Sequence, residues 1–196
     1  MPKVVDHEER RRAVAEALWR VVRRDGIEHA SVRNVATEAG LSPGAMRHYF
    51  AGQLDLQRAA MRALMDRIGA RLREIPSSGE PIERCRAALA QLLPLDDERQ
   101  VEAEIWFAFA AQARTQPAFE PLVVESYDAI RSIAAEAVAL VAPGLPPARH
   151  AVEAEALFAL VDGLVLHAVQ RPGLVDADAM LAVVDAQLAH LRRPAP

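Results

Sequence analysis

Between Ser31 and Phe50 the sequence admits few backbone courses. It reads Ser-Val-Arg-Asn-Val-Ala-Thr-Glu-Ala-Gly, then Leu-Ser-Pro-Gly-Ala-Met-Arg-His-Tyr-Phe. Val32, Val35, Ala36 and Ala39 recur at helical spacing and give the first half one apolar face. Gly40 stands where the chain must reverse, and a left-handed backbone there is free of strain only for glycine. Leu41 follows as the apolar contact of a Schellman-type helix end. Ser42 is placed to cap the next helix, with Pro43 at its first position, where a missing N–H costs nothing. Met46 and Phe50, four apart, point inward, and Arg47 and His48 are left to point outward. Two short helices joined by a glycine turn are expected.

The rest of the chain extends that reading to an all-α fold. Alanine and leucine abound, β-branched alternation is scarce, and Pro and Gly punctuate helices instead of framing strands. A first helix is expected over about 7–24, with Val14, Leu18, Val21 and Val22 as its apolar stripe and Gly26 after its end. The two short helices take 32–39 and 43–49. A fourth runs over about 53–74. After the linker Ile75-Pro-Ser-Ser-Gly79 come stretches at 81–93, 97–114, 117–141, 147–170 and 176–192, about nine helices in all. Asp96 and Asp176 are expected N-caps. The division expected is a three-helix helix-turn-helix domain over 1–52, with its motif at 31–50, and a larger helical domain over 53–196.

Composition excludes several classes. One cysteine, Cys85, forms neither an intrachain disulfide nor a cysteine zinc cage, and its expected role is a small buried residue. The charged N-terminus lacks the apolar segment of a secretory signal. The longest apolar run, Ala156 to Val169, is broken by Asp162, Gly163 and His167 and is too short to span a bilayer. A cytoplasmic protein without membrane contact is expected. The formal net charge of −4 is unevenly shared: residues 1–73 carry 14 basic and 9 acidic side chains, and residues 74–196 carry 9 and 18. A basic first third suggests contact with a polyanion. The six histidines are scattered, and no phosphate loop, nucleophile elbow or zinc spacing occurs. Neither catalysis, nor a metal, nor a cofactor is expected.

Two short helices around a glycine turn, the second opening on small Gly44-Ala45, have the geometry that enters a DNA major groove. An ordinary helical hairpin in a bundle has the same turn; short helices and basic surroundings favour the DNA reading. The segment resembles the TetR (tetracycline-repressor-like) family. The resemblance covers about residues 8–65: Ala17-Leu-Trp19, Asp25-Gly26, Ser31-Val-Arg-Asn-Val-Ala36, Ala39-Gly-Leu-Ser-Pro-Gly44, His48-Tyr-Phe50 and Leu54-Asp-Leu56. More loosely, His48-Tyr-Phe50, Leu93-Pro-Leu-Asp-Asp-Glu-Arg99 and Glu104-Ile-Trp-Phe-Ala-Phe109 are similar to the subgroup of the choline-responsive betaine-gene repressor.

The resemblance implies a homodimeric transcription regulator. Ser31, Arg33, Tyr49 and Gln53 are implied phosphate contacts, and Ser42, Gly44, Ala45, Arg47 and His48 lie at or near base edges. Arg47 replaces the tyrosine of many members. It is suited to guanine O6 and N7, with a phosphate contact or a solvated arginine as the alternative. His48 is a base contact, a cap or a phosphate donor. Gln53 replaces the lysine that most members set against a phosphate, leaving a helix-terminal backbone N–H for the task. Arg10, Arg11 and Arg12 form either a solvated face or further backbone contacts.

In the C-terminal part, Ile105-Trp-Phe-Ala-Phe-Ala-Ala111 is apolar around the whole helix, which predicts burial on all sides. With Met61 and Met65 it could line a cavity, to which Tyr127 adds a polar tip. The resemblance implies a small-molecule pocket here, with Met61, Met65, Trp106, Phe109, Tyr127 and His167 as candidates; a filled core is the alternative for each. It also implies a dimer through helices 147–170 and 176–192. The expected function is a repressor released from a palindromic double-stranded operator by a small-molecule effector. The alternatives are a helical lipid carrier or enzyme with a fortuitous helix-turn-helix, and a DNA-binding protein that senses nothing.

Overall fold

A computed structural model describes residues 3–192, with side chains from His7 onward. Nine α-helices follow one another, with no strand among the described residues: α1 Lys3–Asp25, α2 Val32–Glu38, α3 Pro43–Met46, α4 Gln53–Arg73, α5 Pro81–Ala90, α6 Asp97–Ala113, α7 Glu120–Val141, α8 Pro147–Gln170 and α9 Ala177–Leu191. Two 3-10 turns, Ile27–His29 and Pro117–Phe119, were not foreseen as separate elements. The expected stretch over 117–141 is therefore a 3-10 turn running into α7. α3 is also shorter than expected: beyond Met46 the N–H groups of His48 and Tyr49 bond three residues back, to Ala45 and Met46. Tightening to that pattern is a common way for a helix to end.

The caps explain most of the boundaries. Ser31, Ser42 and Asp176 each accept a hydrogen bond from the backbone N–H three residues on, at 3.2, 3.1 and 2.8 Å. Asp96 accepts from the Arg99 N–H at 2.9 Å as α6 begins, and that bond together with the Arg99 guanidinium holds its carboxyl below the ordinary range. Pro43, Pro81 and Pro147 open their helices.

The helices form two compact units. One comprises the residues up to Arg67 together with Glu104–Val124, the other Ile68–Ala103 together with the residues from Glu125 on. In the first, Val14, Leu18 and Val21 of α1 are fully buried, as are Val35, Met46 and Leu56. The Trp19 indole N–H donates to the Ala60 carbonyl at 3.2 Å, tying α1 to α4, and the Arg67 guanidinium lies 4.9 Å over the same ring. Phe109 packs on Phe119 with ring centroids 5.8 Å apart. The helix around Ile105 is not buried on all sides: Ile105, Trp106 and Phe109 are buried, Phe107 and Ala108 half-buried, and Ala111 exposed.

In the second unit, Leu89, Val138, Leu157, Val184 and Leu188 are fully buried. Arg71 makes a two-pronged ion pair with buried Glu102, at 2.8 and 2.6 Å. Cys85 is buried, as expected, with its thiol 3.7 Å from the Ala137 carbonyl.

Candidate nucleic-acid interface

The turn between α2 and α3 has the hydrogen bonds that its sequence demands. Gly40 takes φ +67°. Its N–H donates to the Thr37 carbonyl at 3.2 Å, and the Leu41 N–H to the Ala36 carbonyl at 2.8 Å. These are the two bonds of a Schellman end, and they satisfy carbonyls that α2 would otherwise leave open. Ser42 then starts α3 at once, so the chain reverses within three residues. Buried Met46 and Phe50 anchor α3 and the turn after it to the first unit.

That anchoring decides what faces outward. Arg33, Ser42, Gly44, Arg47, His48 and Gln53 are exposed, while Ser31, Ala45 and Tyr49 are half-buried. The nine predicted contact residues run from Ser31, the cap of α2, through α2, the turn and α3 to Arg47, His48 and Tyr49 just beyond α3, and on to Gln53 at the start of α4; six of them are exposed. Gly44 leaves open space where a side chain would stand: beyond its neighbours only the Ser42 hydroxyl comes within 4 Å, at 3.8 Å. Such a surface lets another backbone approach closely. Among the described residues no carboxylate pairs with Arg33 or Arg47, so both guanidiniums keep their donors for an outside partner.

Other arginines of the basic first third are committed elsewhere. Arg20 and Arg24 of α1 both grip Glu38 at the end of α2, each at 2.8 Å, and Arg24 also holds Asp25. Glu38 and Asp25 are held below the usual carboxylate range chiefly by these hydrogen bonds. Arg11 donates to the Tyr49 carbonyl and lies 4.5 Å over the Phe50 ring. His7 stacks at a tilt on Tyr49, centroids 5.0 Å apart. Arg11 thus braces the end of the motif, a role that its run of three arginines does not reveal. Asp55 accepts from the Ala51 N–H at 2.9 Å beside Gln53. The start of α4 therefore carries an acid near a residue that has no charge of its own.

The candidates for small-molecule binding fall in both units. Met61, Trp106 and Phe109 are buried and Met65 half-buried in the first. In the second, half-buried Tyr127 meets Phe158 edge-on at 5.8 Å. Asp162, one turn beyond Phe158, is half-buried without an ion pair among the described residues. Burial pushes its carboxyl up; burial, then Asp162 itself, pushes the Tyr127 phenol up. Phe158 and Asp162 were missed as candidates; the available signal was a lone acid in an apolar helical run, four residues after an aromatic. His167 is exposed on α8, so the filled core that was its alternative to a pocket role does not hold it. Among the described residues no group of three or more His, Cys, Asp or Glu could hold a metal ion.

A capped helix-turn-helix with free arginines, followed by a larger set of helices, defines a DNA-binding transcription regulator. Residues 81–193 match the C-terminal domain of the BetI-type transcriptional repressor. The chain is 40% identical to the HTH-type transcriptional regulator PksA of Bacillus subtilis over 188 residues, 94% of this chain and 90% of that protein. A transcriptional regulator from Rhodococcus sp. RHA1 superposes with TM-score 0.81 at 34% identity, covering 92% of this chain and 95% of that one. A regulator from Saccharomonospora viridis, solved in complex with choline, has the same fold, with TM-score 0.77 at 22% identity over 93% and 97% of the two chains. The chain belongs to the TetR family of transcriptional regulators, with a BetI-type C-terminal domain. It is a DNA-binding regulator and not an enzyme.

Proposed function

We propose that the chain is a homodimeric repressor whose two reading heads bind a palindromic operator and are released from it by a small molecule. The observation that carries this reading is the pair of exposed, unpartnered guanidiniums, Arg33 and Arg47, around the open backbone of Gly44 and Ala45. In this reading residues 1–52 are the reading head and 53–196 sense and dimerise. Arg47 and His48 read base edges with Ser42, Gly44 and Ala45; Ser31, Arg33, Tyr49 and the Gln53 backbone N–H hold phosphates. The protein acts in the cytoplasm, where its operator is. No helix of the described residues is long and apolar enough to cross a membrane.

Two exposed helix faces support the dimer. On α8, Val152 (61% exposed), Ala156, Ala159 and His167 lie along one side; on α9, Ala179, Ala182, Val183 (38% exposed) and Ala186 do the same. Small apolar side chains at helical spacing suit close packing against a second copy. Two heads related by a two-fold axis then meet half-sites about 34 Å apart.

Asp162 beside Tyr127 supports a cationic effector, since a half-buried carboxylate without an ion pair attracts an organic cation, and the Phe158 ring next to Tyr127 already carries the Arg131 guanidinium at 5.9 Å. Choline, the ligand of the Saccharomonospora regulator, is the first compound to try. Such a ligand acts by preferring the dimer state in which the heads are mis-spaced for successive major grooves. Fluorescence anisotropy on DNA flanking the protein's own gene tests the reading, with scrambled DNA as competitor. Sequence-preferring binding, weakened by choline or by another small cation, is expected. Binding that is equal on both DNAs and vanishes uniformly with salt overturns it.

A further inference from the structure

A cleft of about 250 Å³ opens in the second unit between the last turn of α4, α5 and the C-terminal half of α7. Its walls are aliphatic, with Leu72, Ile75, Ala88 and Ile133 among them, and no aromatic side chain lines it. Two charged residues do, Arg84 and Glu136, and their situations differ. Glu136 is exposed and keeps its water. Arg84 is half-buried, its Nε is sealed from solvent without a hydrogen-bond partner, and among the described residues no carboxylate pairs with it. That Nε is out of a ligand's reach, so the terminal amino groups, unpaired with any carboxylate among the described residues, are the donors left for an acceptor. The demand of the cleft is therefore for an anion, and its aliphatic walls ask for a flexible alkyl body instead of a flat ring.

We propose that this cleft binds an amphipathic aliphatic carboxylate, with its headgroup on Arg84 and its chain along Leu72, Ile75, Ala88 and Ile133. The planar fork of the guanidinium matches a carboxylate better than it matches a hydroxyl. A cleft of about 250 Å³ suits a short or medium alkyl chain. The site shares no residue with the cluster of Tyr127, Phe158 and Asp162. Along α7, Ala137 in the cleft wall lies ten residues past Tyr127, about 15 Å at helical rise. It is independent of the operator reading and of the cationic effector.

Cys85 supplies a built-in reporter. It is the chain's one thiol, lies in the cleft wall, and is 3% exposed. The test uses the full chain with sodium octanoate, and 1-octanol as the neutral control of equal chain length. Saturable octanoate binding by calorimetry is expected, together with slower maleimide modification of Cys85. Octanol should bind more weakly. Arg84→Leu should weaken octanoate about ten- to a hundredfold, the usual scale for a hydrogen bond to a charged group. Leu140→Trp, at a wall position already 38% exposed, should block the cleft without disturbing buried packing. The proposal is overturned if octanoate shows no saturable binding, if octanol binds as tightly, or if both variants bind octanoate as the parent does.

Discussion

Single arginines divide the labour of the basic first third. Arg33 and Arg47 are exposed and unpaired, whereas Arg11, Arg20 and Arg24 are spent on Tyr49, Glu38 and Asp25. Two substitutions separate base reading from phosphate holding. If Arg47 reads guanine, Arg47→Ala costs about 1–3 kcal/mol on the preferred site and little on scrambled DNA. Arg33→Ala should weaken both DNAs alike and lower the slope of log K against log salt by about 0.9. Anisotropy titrations at several salt concentrations check both. A third residue-scale prediction concerns Asp162. Burial raises its carboxyl in the folded protein, so the native state holds its proton to higher pH than the unfolded chain does. Stability contributed by the protonated form is full below the ordinary carboxylate range and is lost as pH rises through the raised value. Asp162→Asn should therefore raise the melting temperature at pH 7 and leave it nearly unchanged near pH 4.

At the scale of elements, the motif was legible because its determinants are local. Gly40, Leu41, Ser42 and Pro43 fix one end and the next start within four residues, and the hydrogen bonds found are those their chemistry requires. What was illegible is what joins distant parts of the chain. Arg11 reaches Tyr49 across 38 residues, and Arg24 reaches Glu38 across 14; no periodicity encodes either. The same holds for Tyr127 against Phe158, which left Asp162 looking like a mere interruption in an apolar run. The short α3 was missed because the pattern of Met46 and Phe50 fits a helix and a tight turn equally. Two variants test the local account by thermal melting. Gly40→Ala meets no atom within 4 Å, so its expected cost, about 1–2 kcal/mol, is purely that of a left-handed backbone. Ser42→Ala loses the cap of α3 and should cost about 1 kcal/mol.

On the scale of the whole molecule, a small reading head reads one half-site, and selectivity comes from joining two. The exposed faces of α8 and α9 are the surfaces on which such joining depends. Val152→Glu should place a charge in the proposed contact and yield a monomer by light scattering, with each chain still folded. Its operator affinity should fall far more than its affinity for scrambled DNA, because one head alone gains nothing from the second half-site. The measurement that bears most directly on the central claim is a DNase I footprint of the full chain on DNA flanking its own gene. The account predicts two protected half-sites related by a dyad, their centres one helical turn or a whole number of turns apart. A footprint over a single half-site, or uniform protection with no boundary, would contradict it.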